Sequence, residues 1–200
     1  MRFATEGGRE RAQVFEVRSA GPELIAHDPI ELPSPLGATT SVAQLGDDVF
    51  LAQWRGPTED TTWELVRLDL AESAAQGGPS FPGVVPQLFA YEGQLFVEST
   101  IWGEDPEGEG WTLPTRWEVR VFDPERFDAV PVREQNYRDP GIGMVVPTRR
   151  GLLARASRPD ITDPGGFRWL DPETLDLSEP GPPVPPGLVL SEFDVSETES

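Results

Sequence analysis

A short strand-like motif that recurs along the chain constrains the fold more than any other sequence feature. Its clearest copy is WEVRVFDPE, from Trp117 to Glu125. Each copy begins with an aromatic residue, continues with β-branched and charged residues in rough alternation, and stops at a turn. Alternation of this kind is typical of a β-strand, and Asp-Pro favours the first two positions of a type I turn. The copies span residues 15–23, 63–72, 117–125 and 167–173. The sequence also predicts a polar loop at 6–11, a first motif strand over 13–20 and, after the third copy, a strand over 126–133.

The spacing of the copies predicts the architecture. Their turn residues are Gly21, Asp69, Asp123 and Asp171, so the intervals between them are 48, 54 and 48 residues. A period in this range, with one strand motif per repeat, indicates the four-stranded blades of a β-propeller. The 200-residue chain is therefore expected to form one antiparallel all-β propeller domain of about four blades over residues 1–195, followed by an acidic tail at 196–200.

Composition and residue pattern support this prediction. The chain has 22 Pro and 20 Gly, which leave little room for helices, and we expect less than about a tenth of the residues in helix. The motif strands are apolar on both faces, with Trp117, Val119 and Val121 on one face and Phe122 on the other. A sheet that is buried on both faces loses its clean alternation, as blades packed face to face do.

The two ends of the chain suggest how the blades close into a ring. The N-terminal part supplies the second, third and fourth strands of one blade, beginning with Met1 to Thr5. Residues 188–195 form a lone strand near the C-terminus. Pairing of the two ends would complete a fourth blade and remove the exposed strand edges. The alternative is an open fragment of a larger propeller.

The order of elements within the unit also resembles known repeats. A turn glycine, a Leu-Phe-Val strand at 95–97, a loop, Trp-x-Val and then Phe-Asp-Pro-Glu at 122–125 are similar to kelch, quinoprotein-type and other β-propeller repeats. The resemblance covers nearly the whole chain and implies the propeller fold. No Gly-Gly pair ends the second strand as in kelch repeats, and the chain lacks the Trp-Asp pair of WD40 repeats, so the resemblance implies the superfamily and not a family.

The net charge of −19, from 35 acidic residues against 16 basic ones, bears on partners. Such a surface repels phosphates and anionic lipid, which disfavours nucleic-acid binding and membrane association. No apolar run approaches the ~20 residues of a membrane span, and no signal segment is visible, so we expect a soluble, cytoplasmic protein by default. The acidic surface serves solubility in one interpretation, and in the other it attracts a basic partner or a divalent cation.

Long loops between the second and third strands of the predicted blades form the candidate functional face, because long loops on a rigid scaffold often carry binding. Trp102 and Trp111 flank the longest of them, and Trp54 lies at the corresponding end of the preceding unit. Together with Asp105, these residues are candidates for contact with a peptide or sugar. The alternative is that the Trp side chains cover the ends of the blade core.

Acidic residues in the same loop are candidate calcium ligands. Asp105, Glu107 and Glu109 alternate and offer carboxylate oxygens, although the bidentate Glu of an EF-hand loop is missing. The alternative is a solvated acidic loop, and no other cofactor is expected. His27, the single histidine, lies next to Asp28 and has no nucleophile in its sequence context, so it predicts no catalytic triad.

The sequence thus favours a non-enzymatic propeller that binds a protein or peptide partner, possibly a basic one, on its acidic long-loop face. One alternative is a carbohydrate-active hydrolase with carboxylates at the mouth of the central channel. Another is a structural subunit of a larger assembly. No catalytic residue can be assigned from the sequence.

Overall fold

Antiparallel β-sheet makes up the regular structure of the described chain, apart from a 3-10 turn at Pro124–Arg126. The all-β prediction is therefore confirmed. Within the described residues, no helix has the length and apolarity that crossing a membrane would require. The computed structural model describes residues 2–6, 9–17, 24–33, 39–54, 62–104, 112–127, 130–137, 142–156 and 167–180.

In the described part of the chain, four sheets of three or four strands follow one another, together with one two-stranded hairpin. Their strands are β1 (Arg2–Glu6), β2 (Arg9–Gln13), β3 (Phe15–Val17), β4 (Leu24–Ala26), β5 (Ile30–Glu31), β6 (Thr39–Leu45), β7 (Asp48–Trp54), β8 (Thr62–Asp69), β9 (Ala74–Pro82), β10 (Val84–Tyr91), β11 (Gln94–Glu104), β12 (Thr112–Phe122), β13 (Arg133–Tyr137), β14 (Ile142–Thr148), β15 (Gly151–Ala156), β16 (Phe167–Leu170) and β17 (Leu177–Pro180). The first sheet has the order β1-β2-β5. The hairpin β3-β4 is a separate two-stranded sheet that lies between β2 and β5 in the sequence. The other sheets have the orders β6-β7-β8-β9, β10-β11-β12-β13 and β14-β15-β16-β17.

The aromatic residues of the motif lie on the third strands of the second, third and fourth sheets. Trp63 is on β8, Trp117 on β12 and Phe167 on β16. The first two precede the Asp of their turn by six residues, whereas Phe167 precedes its Asp by only four. The strand register accordingly places Phe167 at the position of Val119 and not at that of Trp117.

An Asp side chain ends each of these third strands. In Asp69, Asp123 and Asp171, Oδ1 accepts a hydrogen bond of 2.8 to 3.0 Å from the backbone N–H two residues later. A carboxylate that bonds to the nearby backbone in this way stabilises a turn in place of continued strand. The turns at Asp123 and Asp171 share this side-chain hydrogen bond, as predicted. They differ after it, because the carbonyl of Asp123 accepts from the N–H of Arg126, three residues later, and that of Asp171 from the N–H of Leu175, four residues later.

Successive sheets pack face to face in chain order. One cluster of buried side chains joins the first and second sheets, a second cluster joins the second and third, and a third cluster joins the third and fourth. Leu51 and Phe50 are neighbours on β7, yet Leu51 belongs to the first cluster and Phe50 to the second. Phe122 and Trp117 of β12 divide in the same way between the second and third clusters. The predicted burial of both faces is therefore confirmed.

Hydrogen bonds also join the sheets along their first strands, which contact one another. The backbone N–H of Leu88 on β10 donates to Oγ of Ser41 on β6 at 2.8 Å. The backbone N–H of Val145 on β14 donates to Oε2 of Glu98 on β11 at 2.6 Å. Leu88 and Val145 each stand three residues before the end of their strand, so the same position in two sheets is held by a side chain of the preceding sheet.

The fourth strand of the third sheet differs from the prediction. The sequence suggested residues 126–133, but the strand is β13, which begins only at Arg133. Phe127 instead turns into the interface between the second and third sheets, where its ring centroid lies 5.4 Å from that of Phe50. Gly78 on β9 leaves the space for this ring, because a Cβ there would lie 2.5 Å from a ring carbon of Phe127.

Two strand boundaries near the N-terminus also differ from the sequence prediction. The polar segment 6–11 was expected to be a loop, but β2 already begins at Arg9 and pairs with β1. The first motif strand was expected over residues 13–20, and it is interrupted at Val14 between β2 and β3. The backbone N–H of His27 donates to the carbonyl of Val14 at 3.0 Å across this interruption.

Tyr137 closes one end of the interface between the third and fourth sheets. Its ring packs on Trp117 with centroids 4.6 Å apart, and its hydroxyl donates to the backbone carbonyl of Leu175. Burial raises the pKa of Tyr137 well above the ordinary value, with a smaller contribution from the negative charge of Asp176.

Replacing Phe127 by Ala should lower the free energy of unfolding by ~3–5 kcal/mol, because it empties a fully buried site between two sheets. Urea denaturation followed by circular dichroism measures the effect. The neighbouring Arg126→Ala variant is the control, since Arg126 is exposed and its loss should change stability by less than ~0.5 kcal/mol. Equal stability of the two variants would contradict the assignment of Phe127 to the core.

Stability at alkaline pH should depend on the tyrosines. The chain has two Tyr, no Cys and no Lys, so few other groups titrate between about pH 9 and 12. Because the folded state raises the pKa of Tyr137, the unfolded chain loses its phenolic proton first. The contribution of Tyr137 to stability should therefore be constant below about pH 10 and be lost as the pH rises above it. Tyr137→Phe should reduce this slope in urea denaturation at stepped pH. The same slope in both proteins would show that Tyr137 is not the group responsible.

Candidate functional site

A groove between the second and third sheets is the candidate site within the described chain. This inter-sheet groove lies between β9 on one side and β12 and β13 on the other, and its volume is about 490 Å³. Cavities of several hundred Å³ are typical of small-molecule sites. Its apolar lining includes Pro79, Phe81, Pro82, Val130 and Pro131, and its polar lining includes Arg116, Glu118, Arg120, Glu134 and Asn136.

A buried ion pair forms the floor of the inter-sheet groove. Glu118 and Arg120 are both buried, and they face the same side of β12 because side chains alternate along a strand. Nη2 of Arg120 donates to Glu118, Nη1 donates to Oγ of Ser99 at 3.0 Å, and Nε lies 3.4 Å from Oε1 of Glu134. The guanidinium also lies 5.8 Å from the ring centroid of Phe81. All three nitrogens of Arg120 are therefore engaged.

The guanidinium group of Arg116 also bonds to the carboxylate of Glu118. Its Nε donates to Oε1 of Glu118 at 2.6 Å, while Arg120 takes Oε2. Glu118 thus commits both oxygens to guanidinium groups, which makes it a structural partner and not a general acid or base. Burial lowers the pKa of Arg120, and the positive charge of Arg116 lowers it further, whereas Glu134 raises it. Arg120 still carries its charge at neutral pH, because a guanidinium loses its proton only far above that.

Burying the ion pair of Glu118 and Arg120 costs free energy. Moving a carboxylate and a guanidinium from water into a protein interior costs several kcal/mol per ion, and good geometry recovers this only when both partners are present. An apolar pair of the same size would fill the interface between the sheets as well. The fold therefore holds Glu118 and Arg120 at a place where stability alone does not require charges.

The residues predicted from the sequence fall into two groups. Trp102 lies near the end of β11 and is 46% exposed, whereas Trp54, at the end of β7, is half-buried against the cluster between the second and third sheets. The remaining candidates, Asp105, Glu107, Glu109 and Trp111, lie outside the described residues. Among the residues that are described, no group of three or more His, Asp or Glu side chains is arranged to hold a metal ion.

The predicted candidate face corresponds to one end of the second and third strands. We define the long-connection edge as the ends of β7 and β8, of β11 and β12, and of β15 and β16 where the chain leaves one strand and enters the next. The connections themselves, 55–61, 105–111 and 157–166, lie outside the described residues. At the other end of the same sheets, the first and second strands are joined by two-residue turns at 46–47, 92–93 and 149–150. Trp54 lies at the long-connection edge, and Trp102 lies close to it.

The sequence interpretation missed the inter-sheet groove. The third motif copy carried a signal, because Glu118 and Arg120 stand two residues apart in the segment 117–122, whose other side chains are apolar. Charges on a strand that is buried on both faces must find partners in the neighbouring sheet or strand. The second motif copy carries Glu64 at the position of Glu118, and this side chain is buried as well.

No protein-family model matches the chain, and no curated protein matches its sequence.

Replacing one residue of the buried ion pair should lower the free energy of unfolding far more than replacing one residue of an exposed ion pair. Glu118→Gln leaves the buried guanidinium of Arg120 without its carboxylate and should lower the free energy of unfolding by ~3–5 kcal/mol. Glu31→Gln is the matched control, because the pair between Arg9 and Glu31 is exposed and should contribute only ~0–1 kcal/mol. Chemical denaturation of both variants measures the difference. Equal losses would contradict the description of Glu118 as a buried charge partner.

Proposed function

We propose that this protein is a non-enzymatic binding module that recognises a protein or peptide partner at the long-connection edge. The observation that carries the proposal is Trp102, which is 46% exposed near the end of β11. Large exposed aromatic residues are costly to leave in water and are enriched at the centres of protein interfaces. The rigid sheet behind Trp102 fixes its position, which lowers the entropic cost of binding.

The charge of the chain supports a basic partner. The connection that follows β11 carries Asp105, Glu107 and Glu109, and the whole chain has a net charge of −19. A negative surface accelerates the approach of a positively charged partner and disfavours anionic ones. A peptide that presents Lys or Arg next to an apolar residue fits both Trp102 and this charge.

A hydrolytic role has less support. Glycoside hydrolysis requires two carboxyl groups free to act on the substrate, one as acid and the other as base or nucleophile. In the inter-sheet groove, Glu118 has both oxygens bonded to Arg116 and Arg120, and Glu134 is paired with Arg120. This arrangement favours binding over catalysis at Glu118 and Glu134.

We also infer that the four sheets are the blades of a propeller whose ring is closed by pairing of residues 188–195 with β1. Among the described residues β1 pairs with β2 alone, so its other edge can accept a strand. Burial of the outward face of the fourth sheet also supports closure of the ring. Leu153 and Phe167 share the face that points away from the third sheet, and they are only 8% and 7% exposed. A covered outward face is what a ring requires and an open arc does not.

Peptide selection tests the binding role. A random-peptide display library panned on the protein should yield Lys- and Arg-rich sequences, and Trp102→Ala should weaken their binding at least about tenfold, because aromatic hot spots contribute ~2 kcal/mol or more. Val42→Ala is the matched control, since Val42 has the same 46% exposure on β6. Calorimetry measures the affinities. Selected peptides that bind the Trp102→Ala variant as tightly as the parent would contradict the proposal.

Truncation tests the closure. Deleting residues 186–200 should remove a strand and lower the free energy of unfolding by several kcal/mol, through the loss of the side chains of Leu188, Leu190 and Phe193 at ~1.5–3 kcal/mol for each that is fully buried. Deleting only 196–200 is the control and should leave the melting temperature unchanged. If the longer deletion also leaves the melting temperature unchanged, the open-arc alternative is correct.

A further inference from the structure

Arg116 has donors that the inter-sheet groove does not use. Its side chain is 47% exposed, and Nε is fixed by the 2.6 Å hydrogen bond to Glu118. Nη1 and Nη2 have no partner among the described residues. A guanidinium that is anchored through Nε presents its two terminal nitrogens as a planar pair of donors, which matches the two oxygens of a carboxylate.

The charge balance around Arg116 favours an anion. Two guanidinium groups, those of Arg116 and Arg120, share the single carboxylate of Glu118. Glu134 lies on the far side of Arg120, 40% exposed and 3.4 Å from its Nε. The two guanidinium groups and the two carboxylates form a row that is neutral overall, with Arg116 at its positive end and Glu134 at its negative end. The positive charge of Arg116 also lowers the pKa of Arg120. A bound anion would relieve that repulsion.

Apolar side chains also line the inter-sheet groove. Pro79 and Pro82 line it from β9, and Val130, one of the most exposed large apolar residues in the described chain, lines it from the segment before β13. Proline and valine offer apolar surface without donors. The volume of about 490 Å³ suits a molecule with a short hydrocarbon part and not a folded partner.

We propose that the inter-sheet groove binds a small carboxylic acid, with the carboxylate on Nη1 and Nη2 of Arg116 and a short apolar chain along Pro79, Pro82 and Val130. This site lies beside the long-connection edge, because Arg116 pairs with Ile101, the neighbour of Trp102, but it does not depend on the binding role assigned to Trp102. Glu118 is a positioning residue for it, because it holds the guanidinium of Arg116 without contacting the ligand. Asn136, which is exposed and opposes Glu118 on β13, borders the same end.

Titration with hexanoate tests the site, followed through the Nε–H signals of Arg116 and Arg120 in ¹⁵N NMR spectra. The expected result is a saturable shift of both signals, with no shift from hexan-1-ol or hexylammonium at the same concentrations. Arg116→Gln should weaken hexanoate binding at least tenfold, read from backbone amide signals of β12 and β13. Arg149→Gln is the matched control, because Arg149 lies exposed in the turn between β14 and β15, and its affinity should equal that of the parent.

Asn136→Asp provides a second variant that does not disturb the ion pairs. It adds a negative charge at the mouth of the inter-sheet groove and should weaken hexanoate binding at least threefold. The proposal is overturned if hexanoate produces no saturable shift in the parent protein. It is also overturned if hexan-1-ol binds as well as hexanoate, or if the Arg116→Gln and Asn136→Asp variants bind it as tightly as the parent.

Discussion

Leu95 and Phe96 are neighbours in sequence and are both fully buried, yet they pack against different sheets. The same holds for adjacent residues of β7, so the middle sheets are apolar on both faces and cannot be stable alone. An antiparallel sheet of this kind must be covered on both sides. The rest of the architecture follows from that constraint, because each sheet provides cover for the one before it and requires cover from the one after it.

The interface between the second and third sheets departs from this pattern and gives rise to the inter-sheet groove. Strand β12 contributes Phe122 to the apolar part of that interface, and Glu118 and Arg120 to its polar part. On its other face the same strand contributes Trp117 to a wholly apolar cluster. Strand β12 thus packs against a sheet on one side and lines the charged inter-sheet groove on the other. The position of Arg116 therefore depends on the core packing of β12.

Features that depend on local chemistry could be predicted from the sequence. Asp123 and Asp171 end their strands through hydrogen bonds to backbone two residues away, and Trp117, Val119 and Val121 alternate along a strand as their pattern requires. Features that depend on a distant neighbour could not. Phe127 leaves the sheet because Gly78, almost fifty residues earlier, provides room for its ring, and no local signal marks that vacancy. The strand expected at 126–133 was therefore wrong.

The same distinction applies to the candidate sites. Trp102 was recognisable as a residue at the end of a strand, whereas the inter-sheet groove exists only because β9 of one sheet lies beside β12 and β13 of the next. The charged pair at Glu118 and Arg120 was visible in the sequence, but its partners Ser99 and Glu134 come from two other strands. Pairings between strands are set by the register of the whole sheet.

We propose that the stack of sheets closes on itself through residues 188–195. Disulfide cross-linking measures this directly, because the chain has no Cys of its own. Ala4→Cys on β1 would be combined with a single Cys at each position from 188 to 195 in turn and oxidised mildly in dilute solution. Closure predicts an intramolecular disulfide at one position or at alternate positions, since a disulfide requires Cα atoms within about 7 Å and side chains on one face of the paired strands. The absence of an intramolecular cross-link at every position would contradict closure.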